Sequence, residues 1–260
     1  MKLANPSPPQ PRDFVGAVTH VIGVLRAFDT QHVEMTLSDV SRRTGLDRSG
    51  ARRYLLSLAH LGYVVRRKNL FRLSPKVLQL GEAFLSGMPI TDFAQPYLDA
   101  ITQETQQTCA IGILDGEDVV YIARTIPNRV MAPSVPVGSR NPALSVSTGR
   151  VLLAFAKLED REQYIRDMSF EHFVWRQAAN KAQLNAELLK IRKAGYAIAD
   201  QEFEVGVRAI AVPILKVDGT PMAGLCIVTN ASTVGKKQLT DKFLPLMRRA
   251  ASELQIALAR

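Results

Sequence analysis

Apolar residues recur every three or four positions between Ala17 and Asp29, at Val21, Ile22, Leu25 and Phe28, and this period predicts an amphipathic helix with one buried face. After a turn around Gln31 to Met35, Thr36 can cap a second, short helix through Leu37 and Val40 that ends at Gly45, where glycine tolerates a left-handed backbone. Asp47 is placed to cap a third helix. Its Ala51, Tyr54, Leu55 and Leu58 share an inner face, its Arg48, Ser49, Arg52 and Arg53 an outer one, and Gly62 stops it. From there the period drops to two: Tyr63 to Arg67 and Leu70 to Leu73 flank Lys68-Asn69 as a short hairpin. Two short helices about a glycine turn, the second bearing outward arginines and followed by a hairpin, predict a winged helix-turn-helix.

The remaining two thirds has a different pattern. A helix is expected over Gln95 to Glu104, two strands over Thr108 to Leu114 and Val119 to Ala123, and a helical run over Gly149 to Ala156. A second hairpin joins Ala209 to Val217 and Met222 to Thr229 through Asp218-Gly219. Leu184 to Lys193 and Asp241 to Ala259 have helical spacing, the last with Phe243, Met247, Ala250, Leu254 and Ile256 to pack on a sheet. The expected fold class is α+β: an N-terminal winged helix-turn-helix followed by an antiparallel sheet flanked by helices. Its expected parts are a disordered Pro-rich arm at 1–14, the winged domain at 15–74, a linker helix at 75–92 and a second domain at 93–260.

Charge changes this picture once it is located. The net charge of +9 is concentrated: residues 1–80 hold 13 Lys+Arg against 5 Asp+Glu, and residues 81–260 hold 20 against 19. One module facing a polyanion and another facing something else would give that distribution. Joined to the helix pattern, it favours double-stranded DNA as partner over a merely solvated basic surface. The expected DNA-contacting residues are Arg48, Ser49, Arg52 and Arg53 of the third helix, Arg42 and Arg43 before it, and Arg66 and Lys68 of the hairpin, the last two on phosphates. Residues Met1 to Arg12 lack the apolar stretch of a secretory signal and no run is long enough to span a bilayer, so a cytoplasmic location and no membrane partner are expected.

Candidate chemistry is sparse. Cys109 and Cys226 lack the paired spacing of a metal or redox site and read as buried thiols. His20, His32 and His60 fall in the basic third and His172 in a polar stretch, and there is no Gly-x-Ser-x-Gly, phosphate loop or His-Glu-x-x-His. No catalytic residue, metal or cofactor is expected. Glu202 and Glu204 alternate like paired carboxylates but fit better as acceptors within the loop before Arg208. Ser147 and Thr148 immediately precede a helical run. Their commoner role is as its N-cap; the alternative is a cradle in which hydroxyls and free amides hold a ligand carboxylate.

The segment Leu46-Asp47-Arg48-Ser49-Gly50-Ala51-Arg52-Arg53-Tyr54-Leu55, with Leu61-Gly62-Tyr63-Val64 and Phe71-Arg72-Leu73, resembles the winged helix-turn-helix of IclR-type transcription regulators. The likeness continues through Leu114-Asp115-Gly116, Val137-Gly138-Ser139-Arg140, Ser147 to Ala154, and Asp200-Gln201-Glu202 to Pro213, with Ala209 where many members carry cysteine. It implies a GAF-like effector domain. It also implies an effector pocket at Ser147, Thr148, Ala209, Cys226 and Val228, closed by a loop with Val130, Met131 and Pro133, and so favours the cradle over the cap. Leu73 to Gly81 and the arginine-rich helix look most like the branch answering to aromatic acids such as protocatechuate or 4-hydroxybenzoate.

The function these expectations describe is regulation of transcription by a small carboxylate effector, which changes how the linker around Ser74 to Met88 spaces two winged domains. Self-association as a dimer or dimer of dimers would match a partly palindromic operator, with RNA polymerase a further candidate partner. Two alternatives stay open: an enzyme with a basic accessory domain using Ser147 or Cys226 as nucleophile, and a constitutive DNA-binding protein whose second domain only oligomerises.

Overall fold

The computed structural model describes residues 11–128, 135–167 and 180–259, which fall into two compact units divided between Gly87 and Met88. In the N-terminal unit a 3-10 turn at Pro11–Asp13 leads into α1 (Gly16–Arg26). Val24 is its fully buried residue and Ile22 is exposed. The inner face is therefore Val21, Val24, Leu25 and Phe28, a strict i, i+3, i+4, i+7 stripe, and the expected place of Ile22 on it is corrected.

A two-residue strand, β1 (Met35–Thr36), precedes α2 (Leu37–Thr44); it pairs with β3 of the hairpin β2 (Val64–Arg67) and β3 (Leu70–Leu73). Two residues carry no period, so this third strand was expected only as turn. The Thr36 hydroxyl accepts from the Asp39 amide and the Asp39 carboxylate from the Thr36 amide, a reciprocal capping box on α2. Gly45, at φ +70°, ends α2, and Asp47 caps α3 (Arg48–His60) through the Gly50 amide at 2.9 Å. Val24, Val40, Leu55, Leu58 and Phe71 close the core between them.

Where a single linker helix over 75–92 was expected, the chain makes a 3-10 turn at Pro75–Val77 and then α4 (Leu78–Leu85), and a separate helix, α5 (Pro89–Thr105), opens the second unit. The break has a local cause. A proline disfavours the helical conformation in the residue before it, and Met88 is extended at φ −117°, ψ 101°.

The C-terminal unit is a six-stranded antiparallel sheet in the order β6-β5-β4-β9-β8-β7. Its strands are β4 (Thr108–Asp115), β5 (Asp118–Thr125), β6 (Arg140–Pro142), β7 (Ala197–Asp200), β8 (Val207–Leu215) and β9 (Pro221–Asn230). Strand alternation puts Ala110, Gly112, Ala209, Ala211, Gly224, Cys226 and Val228 on one face, where α6 (Ser147–Phe155) packs. Outside α6 lie α7 (Leu158–Asp167) and α8 (Lys181–Ala194). α5 also packs on β4 and β5. A last helical stretch runs from α9 (Lys236–Gln238) through a π-turn at Leu239–Phe243 into α10 (Leu244–Leu258), which packs on β8 and α5. Its buried residues include Phe243, Met247, Ala250 and Leu254; Ile256, expected with them, is exposed.

α6 lies unusually close to the sheet. Gly112 and Gly224 are cross-strand partners beneath it, and a Cβ on Gly224 would stand 2.8 Å from Thr148 Cγ2. A Cβ on Gly149 would meet the Ala143 carbonyl oxygen at 2.1 Å. Small residues let the helix start be pressed down to the sheet, and every residue from Ser147 to Ala154 is buried.

Candidate functional site

In the N-terminal unit α2 and α3 are held at the three-residue turn Gly45-Leu46-Asp47, with Ser41 Oγ donating to the Leu46 carbonyl at 2.7 Å. Burial of Ala51, Leu55 and Leu58 fixes the rotation of α3 and leaves Arg48, Arg52 and Arg53 on its exposed side, none in an ion pair among the described residues. Ser49 is engaged: its hydroxyl donates to the capping Asp47 carboxylate at 2.7 Å. Arg42 pairs with Asp39 at 2.5 Å but stays well exposed. Arg43 is the most restrained of the set, donating to the Ala27 carbonyl at 3.0 Å and to Asp29 at 2.7 Å, and contacting His32 Nε2 at 3.1 Å. Its guanidinium ties the end of α1 to α2. On the hairpin, Lys68 sits at the turn at φ +53°, and Arg66 lies over the Phe71 ring and donates to the Lys68 carbonyl. Basic groups on α3 and the hairpin therefore share one unit, and most remain free to meet an external anion.

In the C-terminal unit a cavity of about 210 Å³ opens under the start of α6. Its floor is the small-residue face of the sheet, including Ala209, Cys226 and Val228, with Tyr121 on β5 beside them. Ser147 and Thr148 form one end, and Ala199, Glu202, Phe203, Glu204 and Val207 line the other side. The α6 start is polar in two ways. Val146, not Ser147 or Thr148, is the N-cap and makes no side-chain cap, so the first amides of the helix have no intrahelical partner. The Ser147 hydroxyl is buried without a hydrogen-bond partner among the described residues. The N-cap role is thereby corrected: both residues lie inside the helix.

Burial sets the protonation of this site. It pushes the Tyr121 phenol above its ordinary range and raises the Cys226 thiol to about 11. Both groups are neutral at neutral pH. A protonated thiol is a poor nucleophile, so burial of Cys226 does not favour covalent chemistry there.

Glu202 accepts locally from the Asp200 amide at 3.3 Å, as expected of it, but its principal partner lies outside the loop before Arg208. Its carboxylate takes both ends of the Arg150 guanidinium, at 2.5 and 3.1 Å, and Arg150, at 0% exposure, also donates to the Leu144 and Ile198 carbonyls. Arg208 pairs instead with Asp200 at 2.8 Å and donates to the Ala231 carbonyl. The Arg150 guanidinium is thus taken up by Glu202 and two carbonyls rather than by the cavity, and the free amides of the α6 start supply the cavity's helix-dipole end.

Of the residues expected around an effector, Ser147, Thr148, Ala209, Cys226 and Val228 meet in this one cavity, while Val130, Met131 and Pro133 lie outside the described residues, as does His172. Sequence reasoning missed Tyr121, Asn141, Phe203 and Glu204. The signal available was strand alternation, since Gly112, opposite Tyr121, shares a face with Gly224 and Cys226; the loop residues had none. Among the described residues no cluster of His, Cys, Asp and Glu could hold a metal ion, and no helix is long and apolar enough to cross a membrane.

Comparison with known proteins places both units. The IclR helix-turn-helix domain matches residues 17–68, and the C-terminal domain of IclR bacterial transcriptional regulators matches residues 82–256. The Pca regulon regulatory protein of Pseudomonas putida is 34% identical over 243 residues, 93% of this chain and 84% of that protein. The p-hydroxybenzoate hydroxylase transcriptional activator of Acinetobacter baylyi is 31% identical over 248 residues, 94% of this chain and 92% of that protein. Among solved structures, a transcriptional regulator from Rhodococcus sp. RHA1 superposes with a TM-score of 0.83 at 35% identity, covering 95% of this chain and 99% of that one. The inducer-binding domain of a PobR double mutant from Acinetobacter, in complex with 3-hydroxybenzoic acid, matches with a TM-score of 0.59 at 30% identity, over 65% of this chain and 98% of that one.

Proposed function

Since this chain belongs to the IclR family of bacterial transcriptional regulators, we propose that it reads an operator with α3 and the β2–β3 hairpin and senses a small aromatic carboxylate in the cavity under α6. The observation that carries the effector half is the buried, unpartnered Ser147 hydroxyl beside unpaired amides at a helix start, above a floor of small apolar residues. An anion there satisfies groups that are otherwise left wanting, and a ring beyond it covers apolar surface. The relatives that regulate pca and p-hydroxybenzoate genes, and the PobR domain holding 3-hydroxybenzoic acid, point to the same ligand class. Val130, Met131 and Pro133 belong to this proposal as a covering loop.

In the DNA-reading half Arg52 and Arg48 are assigned to base edges, with Arg53, Arg42 and Ser49 beside them, and Arg66 and Lys68 to phosphates. Arg43 supports that surface from behind. An exposed apolar stripe on and before α1, at Phe14, Val15, Val18 and Ile22, supports self-association of two copies on a partly palindromic site. The protein acts in the cytoplasm as a sensor without turnover, as the neutral Cys226 favours.

A thermal-shift and DNA-binding experiment tests this. Hydroxybenzoates should raise the melting temperature and alter affinity for an operator fragment, and Ser147→Ala should weaken the first effect about tenfold in ligand concentration. Turnover of any bound acid, or operator affinity indifferent to every acid that binds, would refute it.

A further inference from the structure

The loop between β7 and β8, Gln201 to Gly206, forms one wall of the cavity, with hydrogen-bonded ends and two exposed apolar side chains between them. Gln201 is left-handed at φ +58° and its amide donates to the Val207 carbonyl at 2.8 Å; Gly206, at φ +84°, donates to Gln201 Oε1 and its carbonyl accepts from Ala231. Glu202 is clamped by Arg150. Between these ties Phe203 is 51% exposed and Val205 88% exposed. Phe203 is unlike the scattered surface apolar residues that need no explanation, because it is also one of the residues lining the cavity.

Strand geometry locates this ring relative to the polar end. Gly224, Cys226 and Val228 follow one another on the face below α6, Gly224 lying under Thr148, and four residues of strand span about 13 Å. The loop carrying Phe203 leaves the sheet after Asp200 and re-enters it at Val207, opposite Asn230, so it lies toward the Val228 and Ala209 end of that face. An acid seated with its carboxylate at the α6 start would extend over Cys226 toward the wall that includes Phe203.

From this arrangement we infer that Phe203 is the specificity-determining residue that selects acids bearing an aromatic ring, by packing its own ring against the ligand's. This rests on the cavity being the effector site. An aromatic edge or face meets another ring with an attraction beyond the area covered, and a saturated ring of similar size gains only the area. The half-exposed side chain has surface to lose on contact, and the clamped ends on either side let it move without dismantling the wall.

The test measures dissociation constants of the full-length protein by calorimetry for benzoate and cyclohexanecarboxylate, with wild type, Phe203→Ala and Phe203→Tyr. Phe203→Ala should weaken benzoate at least fivefold and cyclohexanecarboxylate at most twofold, and Phe203→Tyr should hold benzoate near the wild-type value. The melting temperature of each unliganded variant should match wild type, as expected for a half-exposed loop residue; if Phe203→Ala is unfolded, Phe203→Leu takes its place with the same thresholds. A smaller loss for benzoate, or an equal loss for both acids, overturns the role of Phe203 while the cavity remains the effector site. Failure of wild type to bind either acid is a different result, and it removes the effector-site reading itself.

Discussion

Arg150 keeps its charge inside the protein because its donors end on acceptors: two oxygens of Glu202 and the Leu144 and Ile198 carbonyls. Burial pulls its pKa down and the Glu202 hydrogen bond pulls it back up. Such a pair is worth little against an apolar replacement but is expensive to break from one side. Glu202→Gln is therefore expected to destabilise the protein by about 3–5 kcal/mol in urea unfolding, and Arg150→Met combined with it to recover part of that loss. A single-variant effect below about 1 kcal/mol would show that the pair is not the clamp described. Asp200 offers a pH-dependent counterpart. Hydrogen bonds from Arg208, aided by Lys236, hold its carboxyl below the ordinary value of 3.8. Its folded pKa is depressed, so its contribution is complete above that ordinary value and fades as pH falls below it. Melting temperatures recorded from pH 6 down to 3 should show Asp200→Asn with a shallower acid decline than wild type; parallel curves would exclude this contribution.

At the scale of elements, α6 is the decisive one. Its start is both the polar end of the cavity and the point of closest approach to the sheet, through Gly149 on the helix and Gly112 and Gly224 below. Gly224→Ala must displace the Thr148 methyl from 2.8 Å, and overpacking of this kind typically costs about 1–3 kcal/mol. Gly149→Ala meets backbone at 2.1 Å, which cannot swing aside, so its loss of stability should exceed that of Gly224→Ala. Equilibrium unfolding of the two variants checks the order; equal or reversed losses would mean that α6 sits less tightly than described. The chain near Met88 shows the same dependence on local chemistry, where Pro89 ends one helical path and begins another.

At the scale of the molecule, two units with different charge do different work. The basic unit should show two kinds of substitution. Arg52→Ala should lose about 1–3 kcal/mol of discrimination between operator and random DNA, whereas Lys68→Ala should weaken all DNA alike and lower the salt slope by roughly one unit. Titrations at several salt concentrations separate them, and an Arg52→Ala protein with unchanged discrimination would show that α3 does not read bases. Coupling between the units is reciprocal: an acid that changes operator affinity tenfold must have its own affinity changed tenfold by the operator.

Much of this was legible in the chain itself. Thr36, Gly45 and Asp47 set the helix-turn-helix because capping and left-handed glycine are local chemistry, and the runs Thr108 to Leu114 and Met222 to Thr229 beside Asp-Gly turns marked strands that the structure buries on both faces. The family resemblance located Ser147 and Cys226 together, though not why. Only the tertiary structure decided that Arg43 is tied to Asp29, that Glu202 belongs to Arg150 across some fifty residues, that Met35 and Thr36 form a strand, and that Phe203 and Tyr121 line the same cavity. Those outcomes depend on which distant surfaces meet, and partners chosen by packing leave no period or spacing in the segment that supplies them.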